Sequence, residues 1–282
     1  MKKILLTVAS LLLSAAVFVG CGGTPSSSEE SNKNSSDESA ISGSITLTGS
    51  TSMEKVAKAL AGAFEAANDN VKVTVGGGGS GTGMTDAIDG KADVGMASRN
   101  LKDTEAAELD GTVIGIDGIA VVVNNANDVS DVTIEQLEKI YSGEIRNWSE
   151  VGGVDKPIVV IGREEGSGTR DGFESIVMKN SEVSYGQELT ETGSVLSTVG
   201  TTEGAIGYAS LANVDDSIKT LLIGGIAPSE ATVLDGTYAI QRPFYFAVKK
   251  GNDSVLAKSF LEFVLSDAGK EQVRNAGVIP PQ

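Results

Sequence analysis

The sequence of 282 residues contains no histidine and a single cysteine, Cys21. Without an imidazole, the chain cannot build a Ser-His-Asp triad, a Cys-His dyad or a histidine-ligated zinc site. One cysteine also excludes an internal disulfide framework and any metal site with several cysteine ligands. The composition therefore gives little support to a hydrolase.

Basic residues are also scarce. The 22 Lys and Arg residues face 38 Asp and Glu residues, which gives a formal net charge of −16. A nucleic-acid-binding surface needs clustered cations that displace counterions from the phosphate backbone. The charge balance therefore argues against a nucleic-acid partner, while the length suits a chain with two domains.

The first 42 residues differ in composition from the rest. Residues 1–20 carry two lysines before a short apolar run and predict a secretory signal peptide. The segment FVGC (18–21) resembles a bacterial lipobox, in which the cysteine is lipidated. Residues 21–42 are rich in Ser, Gly and acidic residues and predict a flexible tether behind a lipid on Cys21. The alternative interpretation of the apolar run is a membrane-spanning anchor.

From Ser44 onwards, apolar strand patterns alternate with amphipathic helical patterns. This alternation predicts the α/β fold class, with a mainly parallel sheet and helices on both faces. The predicted strands cover 44–48, 71–75, 93–97, 118–124, 157–162, 205–209, 219–223 and 243–248. The predicted helices cover 53–64, 84–88, 133–141, 170–178, 194–199, 253–265 and 267–275.

Three strand-to-helix connections share a composition of glycines and hydroxyl residues. They are TGSTS (48–52), GGGGSGTG (76–83) and REEGSGTR (163–170). A helix N-terminus combines free N–H groups with the positive end of the helix dipole, so it can bind an anion. Arg163 opens the third connection, and its guanidinium could hold two ligand oxygens at once. Helix capping explains any one of these loops, but three of them with an arginine favour an anion site.

The second connection also satisfies the G-x-G-x-x-G pattern, through Gly76, Gly78 and Gly81. Four consecutive glycines match many motifs, so the pattern is weak here. The acidic residue expected about 20 residues later would be Asp93, which begins a predicted strand instead of ending one. The chain also lacks a P-loop motif and a nucleophile elbow. We therefore expect no cofactor, no catalytic residue and no metal ligand.

Six segments, in order along the chain, resemble the phosphate-binding lipoproteins of Pst-type phosphate ABC importers, in the version found in Gram-positive bacteria. They are TGSTSM (48–53), GGGSGTGM (77–84), ADVGMASRNL (92–101), REEGSGTRDGF (163–173), GAIGYASL (204–211) and RPFYFAVKKG (242–251). The resemblance implies a type II periplasmic-binding-protein fold, in which two α/β lobes enclose the ligand. The first lobe would comprise 43–122 and 240–282 and the second 123–239, with crossovers near 121–125 and 236–241.

The resemblance also implies which residues bind the ligand. The first lobe would supply hydroxyls and backbone N–H groups, and the second would supply Arg163 as the cation. The implied set comprises Ser50, Thr51, Ser52, Ser80, Ser98, Arg99, Arg163, Glu165, Ser167, Gly168 and Thr169. Glu165 would either accept a ligand proton or orient Arg163. The directions in which Arg99 and Arg170 point stay open.

Ser98 departs from the pattern of the better-known Gram-negative members. Those proteins carry an aspartate at this position, which accepts the proton of hydrogen phosphate. Sulfate has no proton to give, so the carboxylate rejects it. Serine can donate as well as accept, and the same basis for discrimination therefore does not carry over to this chain.

The function implied by the resemblance is an exported receptor that captures inorganic phosphate and delivers it to an ABC permease and its ATPase. The receptor would be a monomer without catalytic activity, lipid-anchored through Cys21 to the outer face of the cytoplasmic membrane. Three alternatives remain. They are a receptor for another tetrahedral oxyanion (sulfate, molybdate or tungstate), a surface hydrolase, and a surface phosphate-sensing or interaction protein. Ser98 favours the first of these.

Overall fold

Strands and helices alternate along the chain, as the sequence predicts. The computed structural model describes residues 41–179 and 181–282. The strands are β1 (Gly43–Gly49), β2 (Val71–Gly78), β3 (Val94–Ala97), β4 (Leu109–Val123), β5 (Asp131–Val132), β6 (Val159–Arg163), β7 (Gln187–Leu189), β8 (Ala205–Ser210), β9 (Lys219–Thr220), β10 (Leu222–Ile223) and β11 (Gln241–Lys249). The helices are α1 (Glu54–Ala67), α2 (Ser80–Asp89), α3 (Asp103–Glu108), α4 (Ile134–Ser142), α5 (Gly168–Val177), α6 (Thr192–Thr201), α7 (Glu230–Leu234), α8 (Val255–Leu265) and α9 (Asp267–Asn275).

Three predictions about the N-terminal region concern residues outside this description. The signal peptide of residues 1–20 and the lipidation site Cys21 both lie there. The predicted tether lies there as far as residue 40. The described residues belong to one structural unit, Ser39–Gln282.

The sequence prediction missed several elements because they lack a clear apolar period. Helix α3 reads DTEAAE and contains no large apolar side chain. The first half of β4 contains Asp110, Gly111 and Gly115, which are residue types depleted in strands. Its pairing with β11 extends the strand through these positions. Tertiary pairing therefore decides the structure of this segment. The other missed elements are the short β5, β7 and α7.

The sheet is mixed, which corrects the expectation of a mainly parallel one. The strand order is β2-β1-β3-β11-β4-β8-β6-β7, and β9 also pairs with β4. Strands pair in parallel at both ends of this order, in β2-β1-β3 and in β8-β6-β7. The central pairs that involve β4 and β11 are antiparallel. These two strands run in opposite directions through the middle of the sheet and join its two halves.

Two separate sets of hydrophobic residues pack on the two halves of the sheet. The first set consists of buried residues between Ile45 and Ile114 and between Phe244 and Val278, together with Ala212. The other contains residues between Ile119 and Ile240, together with Ile279. We call 41–118 with 241–282 the first lobe, and 119–240 the second lobe. β4 changes its partner from β11 to β8 between Gly118 and Ile119, a few residues before the crossover expected near 121–125.

Helix α1 illustrates how packing fixes the loops of the first lobe. Its apolar face buries Val56, Ala57, Leu60, Ala61 and Phe64. The ring centroid of Phe64 lies 5.3 Å from that of Phe260 in α8, in an edge-to-face arrangement. Burial of each large apolar side chain contributes about 1.5–3 kcal/mol. The rigidly packed helix therefore holds the loop at residues 50–53 in a defined place. No helix in the described part of the chain combines the length and the apolar character needed to cross a bilayer.

Candidate anion-binding site

The three connections rich in glycine and hydroxyl residues meet between the two lobes. The loop at 50–53 precedes α1, and Ser80 begins α2. Strand β6 ends at Arg163 and leads into α5, which begins at Gly168. A fourth helix, α6, brings its first residue, Thr192, to the same place. Four helix N-termini from both lobes thus contribute polar groups to one region, and such termini favour negative charge.

Seven buried hydroxyl side chains form a group that we call the hydroxyl cluster: Ser50, Thr51, Ser52, Ser80, Ser98, Thr169 and Thr192. Part of this cluster joins the two lobes. Ser52 Oγ lies 2.6 Å from Thr169 Oγ1 and 3.1 Å from Thr192 Oγ1. Thr51 Oγ1 also lies 3.1 Å from Thr192 Oγ1 and accepts the Thr192 backbone N–H at 3.2 Å. Hydroxyls of the first lobe therefore contact the N-termini of α5 and α6 directly.

The other part of the hydroxyl cluster lies within the first lobe. Ser50 Oγ donates to Ser98 Oγ at 2.8 Å, and the Ser98 backbone N–H donates to Ser80 Oγ at 3.1 Å. All three side chains are buried. A buried hydroxyl without a partner costs free energy, so the cluster must satisfy itself or bind a polar ligand.

Gly168 brings α5 unusually close to these serines. A Cβ atom at this position would lie 2.3 Å from Ser80 Oγ and 2.7 Å from Ser98 Oγ. Only glycine therefore permits this approach of the helix N-terminus. Ser167 precedes it as the N-cap, and its Oγ accepts the Arg170 backbone N–H at 3.3 Å. The first turn of α5 thus faces the first lobe with its backbone exposed to the cluster.

Arg163 supplies a buried positive charge next to the cluster, with 2% of its surface exposed. Its Nε donates to Leu189 O at 3.1 Å and its Nη2 donates to Thr190 O at 2.8 Å. Its Nη1 donates to Thr192 Oγ1 at 3.1 Å. All of these partners are neutral. Within 41–179 and 181–282, no carboxylate lies at ion-pair distance from this guanidinium.

Electrostatics make this arginine the natural partner of an anion. Burial and the charge of Arg242 act to lower the pKa of Arg163, since both disfavour its positive form. The three hydrogen bonds leave further guanidinium N–H donors available. An anion bound here would supply the missing negative charge and accept those donors.

Arg242 is a second buried guanidinium beside the cluster, and it is paired. Its Nη2 and Nε lie 3.1 Å and 3.3 Å from Asp117 Oδ2. Its Nη1 donates to Ser98 Oγ at 3.2 Å. Burial raises the pKa of Asp117 and lowers the pKa of Arg242, because it disfavours the charged form of each. The opposite charges of Arg242 and Asp117 neutralise each other, so the pair needs no further ion.

Comparisons with known proteins identify the family of this chain. The PBP superfamily domain matches residues 34–268. The chain is 31% identical over 289 residues to the phosphate-binding protein PstS of Bacillus subtilis strain 168, covering 99% of this chain and 95% of that protein. The chain belongs to the PstS family.

Solved structures extend the match to the fold. One is a putative phosphate ABC transporter substrate-binding protein with bound phosphate from Clostridium perfringens, at 38% identity and a TM-score of 0.82, covering 85% of this chain and 100% of that one. Another is an ABC-type phosphate transport receptor from Vibrio cholerae, at 34% identity and a TM-score of 0.70, covering 84% and 100%. The α/β fold is thus the type II periplasmic-binding-protein fold.

Two residues that the PstS resemblance assigned to the site, Arg99 and Glu165, form no side-chain hydrogen bond with the hydroxyl cluster within the described residues. Arg99 forms a two-point ion pair with Glu105, at 2.7 Å and 2.8 Å, and its Nε lies 2.8 Å from Asp171 Oδ2. Burial opposes the charge of Arg99, but these two carboxylates outweigh it and raise its pKa. Glu165 is exposed. Arg99 therefore faces carboxylates, and Glu165 faces solvent.

Arg170 holds the backbone of Arg163 in place. Its Nη1 donates to the carbonyl of Arg163 at 2.9 Å, while its Nε pairs with Glu174 at 2.8 Å. The Arg163 backbone N–H donates to Tyr208 Oη at 3.1 Å, and burial raises the pKa of Tyr208 to about 12. These contacts fix the backbone from which the Arg163 side chain extends.

The sequence analysis did not predict three polar residues in or beside the cluster: Asp117, Thr192 and Arg242. Thr192 begins a TGS segment (192–194) with the same composition as the start of the first connection, so its sequence does carry a signal that could have been used. Arg242 lies in the quoted segment RPFYFAVKKG, where a basic residue before an apolar strand could have been noticed. Asp117 lies in the part of β4 that the prediction missed.

Proposed function

We propose that this protein captures inorganic phosphate outside the cytoplasmic membrane and delivers it to an ABC permease and its ATPase. The observation that carries the proposal is the buried guanidinium of Arg163, which faces neutral partners and the hydroxyl cluster. The names of the PstS relatives and the phosphate-bound structure from Clostridium perfringens support phosphate as the ligand.

A tetrahedral oxyanion suits the donors around Arg163. Its oxygens point in several directions, and the donors converge from both lobes, from α1 and α2 on one side and α5 and α6 on the other. Hydrogen bonds to a charged group contribute about 1.5–3 kcal/mol each. A few bonds beyond those that offset the entropy cost of binding would supply the roughly 8 kcal/mol of micromolar affinity.

We infer a binding function without catalysis. The groups in the site are hydroxyls, backbone N–H groups and arginines, which bind and orient an anion but form no nucleophile–base pair. Across residues 41–179 and 181–282, no cluster of three or more acidic, cysteine or histidine side chains could hold a metal ion. Lipid anchoring through Cys21 and a monomeric state belong to the same proposal.

Isothermal titration calorimetry with residues 21–282 tests the proposal. The protein is first freed of bound anion by partial unfolding, dialysis and refolding, and is then titrated with inorganic phosphate. We expect saturable one-to-one binding with micromolar or tighter affinity. No heat from a refolded protein whose circular dichroism matches the starting material would contradict the proposed function.

A second candidate is a receptor for another tetrahedral oxyanion, which Ser98 favours. A hydroxyl at this position accepts a hydrogen bond from Arg242 and is not a carboxylate that would repel sulfate. The same protein is titrated with sulfate, molybdate and tungstate. Affinity for one of these anions above that for phosphate would replace phosphate as the ligand.

A further inference from the structure

The pair of Asp117 and Arg242 lies where the sheet passes from one lobe to the other. The two residues are direct partners in the antiparallel ladder of β4 and β11, one residue before that ladder ends at Gly118. Both are almost completely buried. A buried ion pair often contributes less stability than apolar residues of the same size. Its place directly behind the hydroxyl cluster suggests a role besides stability.

Asp117 holds the guanidinium of Arg242 in one orientation. Its Oδ2 accepts from Nη2 and Nε of Arg242, while its Oδ1 accepts from the Ser210 hydroxyl at 2.8 Å. The Ala212 backbone N–H also favours the charged form of this carboxylate and acts to lower its pKa. With Nε and Nη2 fixed, Nη1 points at Ser98 Oγ.

The hydrogen bonds at Ser98 determine what its hydroxyl can do. Its oxygen accepts from Ser50 Oγ at 2.8 Å and from Arg242 Nη1 at 3.2 Å. A hydroxyl oxygen has two acceptor sites and one proton. With both acceptor sites in use, the hydroxyl can only donate. Apart from Ser50 Oγ, which donates to it, the hydroxyl oxygen next to Ser98 Oγ is Ser80 Oγ at 3.4 Å, which is long for a bond between hydroxyls.

We propose that Arg242, held by Asp117, is a positioning residue that makes Ser98 a hydrogen-bond donor to the bound anion. The Ser98 hydroxyl then binds an unprotonated oxygen of the ligand instead of accepting the ligand's proton. Arg242 acts through Ser98, whereas Arg163 acts on the anion by its charge. The inference rests on the proposed anion-binding function.

A double-mutant cycle tests whether Arg242 acts through Ser98. Phosphate affinity is measured by calorimetry for the wild type, Ser98→Ala, Arg242→Lys and the double variant. Lysine keeps the charge opposite Asp117 but cannot reach Asp117 and Ser98 together. We expect Ser98→Ala to weaken binding about ten- to hundredfold, and Arg242→Lys about tenfold. In the Ser98→Ala background, Arg242→Lys should weaken binding less than about twofold.

Arg99→Lys is the matched control, because Arg99 is also buried and paired with carboxylates, but its side chain donates to Asn100 O and Glu105 and not to the Ser98 hydroxyl. Its effect on phosphate affinity should be the same factor in both backgrounds. An equal loss from Arg242→Lys in both backgrounds would overturn the inference, since Arg242 would then act through charge or folding alone. A wild type that binds no phosphate would instead contradict the proposed function.

If Arg242→Lys does not fold, a replacement variant keeps the double-mutant cycle able to test the inference. Thermal unfolding identifies that case before any titration. The change Asp117→Asn combined with Arg242→Gln then replaces it, because it removes both charges and leaves neither unpaired. The expected coupling with Ser98→Ala is the same, and independent effects would again overturn the inference.

Discussion

Arg163 and Arg242 lie beside the same hydroxyl cluster and are equally buried, at 2% and 3% exposure, yet their surroundings differ. Arg242 faces Asp117, while Arg163 faces two backbone carbonyls and the hydroxyl of Thr192. A buried cation that forms an ion pair with a carboxylate of the same protein already has its charge neutralised. Glu164 and Glu191 act on Arg163 only from beyond ion-pair distance, so a bound anion could supply the direct ionic partner that it lacks among the described residues. The missing ion-pair partner, more than burial, is therefore our reason for proposing Arg163 as the residue that binds the anion.

The same contrast explains how an acidic protein can bind an anion. The whole chain carries a formal charge of −16, which repels anions at long range. Salt screens this repulsion over about 8 Å at physiological ionic strength. Inside the protein, Arg163 and the helix N-termini act at hydrogen-bond distance, where screening is small. Local charge and fixed dipoles therefore decide binding.

Arg242→Gln should have the largest effect, and it should act on stability. The change leaves the Asp117 carboxylate buried without its cation, which we expect to lower the free energy of unfolding by about 3–5 kcal/mol. Urea unfolding followed by circular dichroism measures the loss. Arg146→Gln, at an exposed arginine of the second lobe, should change stability by less than about 0.5 kcal/mol. Equal stability of the two variants would contradict the expectation that the buried Asp117 depends on Arg242.

Arg163→Gln should separate binding from stability. It removes the only positive charge that the ligand is expected to neutralise, so phosphate binding should weaken by about 2–5 kcal/mol. The free energy of unfolding without phosphate should fall much less than in Arg242→Gln, because no carboxylate loses its partner. Calorimetry and urea unfolding of the same preparation give both values. Phosphate affinity equal to that of the wild type would place the anion elsewhere.

Gly168→Ala tests the close contact of the two lobes at the cluster. The added Cβ would overlap Ser80 Oγ and Ser98 Oγ, so phosphate binding should weaken by about 1–3 kcal/mol. Gly193→Ala is the control, since a Cβ at that helical position meets no atom within 4 Å. If both variants bind phosphate equally well, α5 does not approach the serines in the complex.

Glu165→Gln should have the smallest effect. The side chain is exposed, and its charge is solvated, so phosphate affinity should change by less than about 0.5 kcal/mol. A loss of tenfold or more by calorimetry would show that Glu165 turns into the site when phosphate binds. That result would revive its role as a proton acceptor or a partner of Arg163.

Most of the fold follows from local sequence patterns. The strand and helix periods predict the α/β class, and the helix N-termini with glycine and hydroxyl residues predict the loops that meet at the site. The mixed sheet was not predicted, because β4 carries glycines and aspartates and is extended by its pairing with β11.

Local sequence patterns could not predict which arginines form ion pairs with carboxylates. Arg242 and its partner Asp117 are 125 positions apart in the sequence, and only the fold brings them together. Arg99 contacts Glu105, six residues later, but also Asp171 from the other lobe. Whether a guanidinium is compensated depends on such distant contacts, so the sequence alone could not distinguish Arg163 from Arg99.

A crystal structure of residues 21–282 with inorganic phosphate tests the central claim most directly. The account predicts phosphate oxygens within hydrogen-bond distance of the Arg163 guanidinium, of hydroxyls in the cluster and of the backbone N–H groups at the start of α5. The ion pairs of Arg242 with Asp117 and of Arg99 with Glu105 should remain intact. Phosphate bound to Arg99 or Arg242 in place of their carboxylates, with Arg163 still facing only neutral groups, would contradict the account.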